Sequence, residues 1–156
     1  MVKTAITPDL DATLDILAAE CAGLQDAWWV FGSAAMALVG VPGLTPPDVD
    51  LIVSERDARR LIEAWSARVE TGAASPTFRS HIFAKAQVAP LPIEIMAGFE
   101  VRHDGAWSAV IPATRLAVER LGGTVFIPNV AEQAQICRRF GRPKDLARLA
   151  VLNALI

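Results

Sequence analysis

The stretch Trp28–Val53, WWVFGSAAMALVGVPGLTPPDVDLIV, decides how the rest of the chain is read. It opens with a short apolar strand over Trp28–Phe31, continuous enough in its hydrophobicity to suit a buried parallel strand. The chain then turns at Gly32-Ser33 and continues as a small-residue helix over Ala34–Val39. A Pro/Gly loop leads to a second strand that opens on Asp48-Val49-Asp50. Side chains alternate along a strand, so Asp48 and Asp50 share one face while Val49, Leu51 and Val53 point into the core. Bringing two carboxylates together is costly unless a cation sits between them, which makes the pair a candidate Mg²⁺ site. Glycine lets backbone approach a ligand closely, and the free N–H groups at the start of a helix attract anions, so Gly32 and Ser33 read as a phosphate cradle. Ser33 also suits the N-cap of the helix. A metal pair beside an anion cradle describes a site for a nucleoside triphosphate.

The bulk properties agree with a packed globule rather than a disordered chain. At 156 residues, 53% hydrophobic and 21% charged, the chain is expected to form one domain over 1–156, with its core at about 28–97 and a helical part at about 130–156. A formal charge of −2 and the absence of any Lys/Arg run give no field for duplex DNA. Cys21 and Cys137 lack metal-ligand spacing and read as small buried hydrophobes in a reducing, cytoplasmic setting. The opening MVKTAITPDLD turns polar at once, unlike a signal peptide. Ala27–Leu44 has Ser33 as its only polar side chain and is long enough to raise a membrane span. Its glycines, its proline and its lack of basic flanks argue against one.

Other elements follow from local signals. Thr7-Pro8 starts a helix whose stripe of Leu10, Leu14, Leu17, Cys21 and Leu24 packs inward, with Asp11, Asp15 and Glu20 toward water. Ser54 caps a helix over Glu55 to about Arg68. A loop containing Gly72, Ser75 and Pro76 precedes a long strand near Thr77–Val88, which forms an antiparallel hairpin with Leu91–Ala97 across Ala89-Pro90. Short strands around Gly122-Gly123 are expected in Trp107–Ile127, followed by helices near Val130–Phe140 and Lys144–Ala154. The tryptophans read as core.

In the hairpin, Glu94 opposes Ile93 and Ile95 in parity and is the only charge in LPIEIMAGF. If its strand neighbours the Asp48–Val53 strand, Asp48, Asp50 and Glu94 line one cleft. Three such carboxylates can hold one or two Mg²⁺ about 3.5–4 Å apart, the arrangement for in-line phosphoryl chemistry. Parity places Arg79, His81 and Lys85 along the same cleft, where cations would serve a triphosphate. Plainer readings exist for each residue: a strand edge for Asp48 and Asp50, an ion pair with Arg79 or Lys85 for Glu94, a strand histidine for His81, and a first helical turn for Lys144-Asp145.

These residues resemble the nucleotidyltransferase superfamily related to DNA polymerase beta. The resemblance rests on Phe31-Gly32-Ser33, on Asp48-Val49-Asp50-Leu51, on Ile93-Glu94-Ile95, and on Arg142-Pro143-Lys144-Asp145-Leu146 leading into Leu149 and Leu152. The last run is similar to the ending of small bacterial branches, which include antibiotic and toxin–antitoxin nucleotidyltransferases. There are departures: a long spacer from Ser33 to Asp48, Pro46-Pro47 before the pair, and Leu44-Thr45 where a basic residue often stands. The resemblance implies a mixed α/β fold with a small sheet flanked by helices. It also implies transfer of a nucleoside monophosphate from an NTP such as ATP to a hydroxyl of a small molecule, RNA or protein, with Mg²⁺ or Mn²⁺ as cofactor. Asp48, Asp50 and Glu94 would be the catalytic and metal residues, and Gly32, Ser33, Lys85 and Lys144 the nucleotide-binding ones. The alternative is a nucleotidyltransferase-fold binding module without turnover. The high apolar fraction suits a homodimer or a partner protein, and no membrane association is expected.

Overall fold

In the computed structural model, residues 6–71 and 75–156 are described; Met1–Ala5 and the Gly72 of the expected loop lie outside the described residues. Helix α1 (Pro8–Glu20) starts where expected, with the Thr7 hydroxyl accepting from the Leu10 amide at 3.2 Å. The chain then runs through β1 (Trp29–Phe31), α2 (Gly32–Leu38), β2 (Val49–Ile52) and α3 (Glu55–Trp65). Next come β3 (Arg68–Val69), β4 (Phe78–Arg79), β5 (Ile82–Ala86), β6 (Ile93–Ala97), β7 (Glu100–His103) and β8 (Ala106–Ala109). The last elements are β9 (Leu116–Arg120), β10 (Gly123–Ile127), α4 (Val130–Phe140) and α5 (Pro143–Asn153).

A five-stranded sheet in the order β1-β2-β6-β5-β3 organises these elements. Strands β2 and β6 are parallel, with Val49 opposite Ile93 and Asp50 opposite Glu94. The other neighbours run antiparallel. One sheet face carries Val49, Leu51, Ile93 and Ile95, which pack with the α1 stripe and with Ala58 and Leu61 of α3. Each of these fully buried aliphatic side chains contributes about 1.5–3 kcal/mol relative to exposure. The opposite face carries Phe31, Ile52 and Met96 beneath Phe99, Val101 and Val110.

Several expectations need correction. Strand β1 is antiparallel to β2, not parallel. All three of its residues are buried because α1 and β10 cover one side and the aromatic cluster the other; continuous burial reports covered faces rather than strand direction. The long strand over Thr77–Val88 is two strands. Gly98, at φ +64°, turns the chain away after β6, so that β7 begins on another course and takes β4 into a separate sheet ordered β4-β7-β8. The hairpin of β5 with β6 forms as expected, with Ala86 opposite Ile93.

Helix α3 stops at Trp65 instead of Arg68, because Ser66 adopts the left-handed conformation (φ 50°) and Arg68 enters β3. Helix α2 begins at Gly32, and Phe31 rather than Ser33 is its N-cap, without a side-chain hydrogen bond. The apolar run Ala27–Leu44 is divided among β1, α2 and a loop, and no helix among the described residues is long and apolar enough to cross a membrane.

The C-terminal third locks onto the core. β9 and β10 form a hairpin, and Gly123 of β10 lies so close to α1 that an added Cβ would meet the Ala18 carbonyl at 2.8 Å. Arg120 ties the hairpin to Asp11 and Asp15 of α1. Helices α4 and α5 pack together, closing one side of the sheet's open face. Trp28, Trp29 and Trp65 are buried as read, whereas Trp107 lies partly exposed under the Arg79 guanidinium at 4.3 Å. Cys21 and Cys137 are buried free thiols, and burial pushes them up to about 12 and about 11.

Candidate active site

The site is one rung of the sheet. Phe31 stands opposite Asp50, Asp50 opposite Glu94, Glu94 opposite Lys85, and Lys85 opposite Arg68. Laterally paired residues project to the same side of a sheet, so this register brings Asp50, Glu94 and Lys85 together. Asp48 precedes β2 by one residue and keeps its parity with Asp50. Ligand oxygens of Asp48, Asp50 and Glu94 all lie within 4.8 Å of one another. The Lys85 Nζ is 3.8 Å from Glu94 Oε1, so both the metal-set geometry and the plainer ion pair expected for Glu94 are present at once.

The electrostatics of this cluster are strained. Burial, then a hydrogen bond to and repulsion from Glu94, then repulsion from Asp48, hold the Asp50 carboxyl well above the ordinary carboxylate range; the Lys144 charge opposes this. Asp48 is raised by its own burial and by Glu94, against Lys85 and Lys144. Asp50 Oδ1 is buried and has no hydrogen-bond partner. Buried carboxylate oxygens are normally paired, so this orphan atom calls for a cation.

Gly32 supplies the room. At φ +64° it sits against Asp50, and a Cβ there would lie 2.9 Å from Asp50 Oδ2. Any side chain would push into the carboxylate cluster. An all-oxygen, acidic set with one orphaned oxygen and a backbone held close suits a hard divalent ion such as Mg²⁺.

A cavity of about 920 Å³ opens over the rung. Gly32, Ser33, Asp48, Asp50, Lys85 and Glu94 all line it, and so does Lys144 at the start of α5. The three carboxylates and the four residues expected to bind nucleotide are therefore brought together. Arg79 also reaches the cavity wall, but its Nε is committed to Glu100 at 2.7 Å. His81 is the exception to the parity argument: it is exposed beside Glu100 (3.5 Å) and Glu55 (4.0 Å), outside the lining, because the strand breaks at Ser80.

Sequence reasoning missed the other half of the cavity. Phe78, Phe83, Phe99 and Phe140 join Phe31 in its wall, with Arg142 and Arg148 from the α5 segment. Phe83 shares parity with Lys85 and was accessible to that argument. The remaining rings come from separate elements, and no spacing links them. Asp145 caps the start of α5 by accepting from the Arg142 backbone N–H at 3.2 Å, and the Arg142 guanidinium also donates to it, with Nε 2.6 Å from Oδ2.

The architecture has solved counterparts. A proposed nucleotidyltransferase from Thermotoga maritima superposes with a TM-score of 0.70 at 22% identity, over 88% of each chain. An antigenic nucleotidyltransferase-like protein from Paracoccidioides brasiliensis gives 0.56 at 17% identity, over 94% of this chain and 76% of that one. The lincomycin-bound lincosamide antibiotic adenylyltransferase LnuA gives 0.50 at 12% identity, over 83% and 87%. No family model and no curated protein matches the sequence. The chain has the nucleotidyltransferase fold.

Proposed function

We propose that the protein transfers a nucleoside monophosphate from an NTP to a hydroxyl, with Mg²⁺ held by Asp48, Asp50 and Glu94. The buried, unpartnered Asp50 Oδ1 within a three-carboxylate cluster carries this reading. The fold it shares with LnuA, an adenylyltransferase, supports it. When bound, the ion would supply neutralising charge for the triphosphate and for the departing pyrophosphate.

The chain's own residues do the remainder. Gly32 and Ser33 present backbone N–H groups and a hydroxyl to phosphate oxygens. Lys85 and Lys144 offset the triphosphate charge on the cavity side. The acceptor oxygen bonds to the α-phosphorus as the bond from that phosphorus to the bridging oxygen breaks. The electron pair leaves with pyrophosphate, and the hydroxyl proton passes to Glu94.

Calorimetric titration of an NTP with Mg²⁺ and with EDTA tests this. Binding that requires Mg²⁺ and is lost in Asp48→Asn and Asp50→Asn is expected, along with pyrophosphate release when an acceptor is supplied. Equal affinity in EDTA would remove the metal role. Metal-linked binding without release for any acceptor, together with a stable complex with a partner protein, would make the chain a binding module.

A further inference from the structure

The half of the cavity away from the carboxylates has a chemistry of its own. Phe78, Phe83 and Phe140 are only partly buried and line the cavity, while Phe31 and Phe99 back them. Phe78 stacks on Phe99 with centroids 5.6 Å apart, and Phe140 meets Phe78 edge-on at 4.9 Å. The Arg142 guanidinium, fixed by Asp145, lies 4.7 Å from the Phe78 ring centre. This is a rigid wall of rings and one planar cation, well suited to a flat apolar surface.

The charges in the wall narrow the class further. Five carboxylates line the cavity: Asp48, Asp50, Glu70, Glu94 and Asp145. Glu70 is paired with Arg68 at 2.8 Å and Asp145 with Arg142 at 2.6 Å, while the other three form the metal set. Among the described residues, no acid lining the cavity lies outside that set without a cationic partner of its own. Lys144 and Arg148 line the cavity without an ion-pair partner among the described residues. A cavity of about 920 Å³ is at the upper end for small-molecule sites, about 300–1,000 Å³, which leaves room for a nucleotide and a second molecule.

We infer that the acceptor is a small planar aromatic alcohol or phenol, neutral or anionic, seated on Phe78 and Phe140 with its hydroxyl toward Glu94, and not a polycationic amino sugar. This rests on the nucleotidyl-transfer reading for its chemistry. The phenolic or alcoholic oxygen forms the new bond to the α-phosphorus, its proton goes to Glu94, and pyrophosphate departs with the electrons of the broken bond.

Binding is measured apart from turnover, which is read as pyrophosphate release from ATP and Mg²⁺ with each compound in turn and should be highest with 2-naphthol; no release with it would overturn the inference. Ligand-observed NMR is run with 2-naphthol, cyclohexanol and kanamycin on the full chain, with and without Mg²⁺ and a non-hydrolysable ATP analogue. 2-Naphthol should bind in both conditions and more tightly than the other two. Phe78→Leu and Phe140→Leu should each weaken it about three- to tenfold, the range a lost aromatic contact gives, while melting stays cooperative. Cyclohexanol binding as tightly, or kanamycin more tightly, would overturn the inference. So would displacement of 2-naphthol by the nucleotide, which would assign the rings to the base. Failure of the nucleotide to bind, with naphthol binding and its ring dependence intact, would sink the nucleotidyl-transfer reading and leave the aromatic subsite standing.

Discussion

Replacing Asp50 by asparagine should make the metal-free protein more stable, although it removes a side chain from the centre of the site. At an effective dielectric of about 20, two charges at the 4.8 Å limit of this cluster repel by about 3.5 kcal/mol, and Asp50 has two neighbours within that limit. The sum, about 7 kcal/mol, exceeds what the group can be made to bear, because it can take up a proton instead. From its ordinary value of 3.8, protonation near pH 7 costs about 4 kcal/mol at ~1.36 kcal/mol per pH unit, which sets the ceiling.

Lys144 offsets part of this, so a gain of about 2 kcal/mol is expected for Asp50→Asn in EDTA. For a chain of this length that is a rise in Tm of about 4–8 °C. The pH dependence has a definite sign. A carboxyl whose folded pKa is raised keeps its proton in the folded state at pH values where the unfolded chain has lost it. Wild-type stability therefore falls as pH rises from about 4 through the raised folded value, and the variant should lack that decline. Mg²⁺ should stabilise the wild type, by about 2.7 kcal/mol at a hundredfold excess over its Kd, and leave the variant unmoved. Thermal melts in EDTA and in Mg²⁺ across pH provide the assay. A variant no more stable than wild type in EDTA, with the same pH slope, would refute the charge-strained cation site.

Other outcomes follow from single contacts. Glu94→Gln should lower turnover far more than nucleotide affinity, read as kcat against Kd, if Glu94 receives the acceptor proton. Gly32→Ala places a methyl 2.9 Å from Asp50 Oδ2 at a left-handed φ, so it should cost about 1–3 kcal/mol in melting and abolish Mg²⁺ stabilisation. Asp57 is buried and accepts from the Gln25 and Asp26 amides at 3.0 and 2.8 Å; Asp57→Ala should destabilise by about 2–4 kcal/mol in urea titration without changing the Mg²⁺ requirement for NTP binding.

The carboxylate rung was legible because period-two parity is a local property. Asp48 and Asp50 needed only each other, and Glu94 needed only its aliphatic neighbours and one assumption about which strands adjoin. Lys85 came from the same parity. His81 failed because alternation carries no mark of a strand break, and the break depends on Gly98, distant in sequence. The direction of β1 was illegible for a related reason, since WVF is buried on both sides whichever way its neighbour runs. In the three-stranded sheet, β4 fell within the strand expected over Thr77–Val88 and β8 met the strands expected from Trp107, but β7 was invisible in EVRHDG, where polar residues dilute the strand signal. The aromatic wall draws on β1, β4, β5, α4 and the turn after β6, and only tertiary structure gathers those rings.

The division of the cavity between sheets has an evolutionary consequence. The carboxylates hang on the ladder of the five-stranded sheet, whereas Phe78 belongs to β4 of the other sheet and Phe140 ends α4. Substitutions or loop insertions around β4, β7 and β8 can reshape what is accepted while Asp50, Glu94 and Lys85 keep their register. On the proposed nucleotidyl transfer, lineages built on this scaffold can thus exchange clients while keeping the acidic rung, and a shared rung in two distant chains says little about whether they take the same molecule.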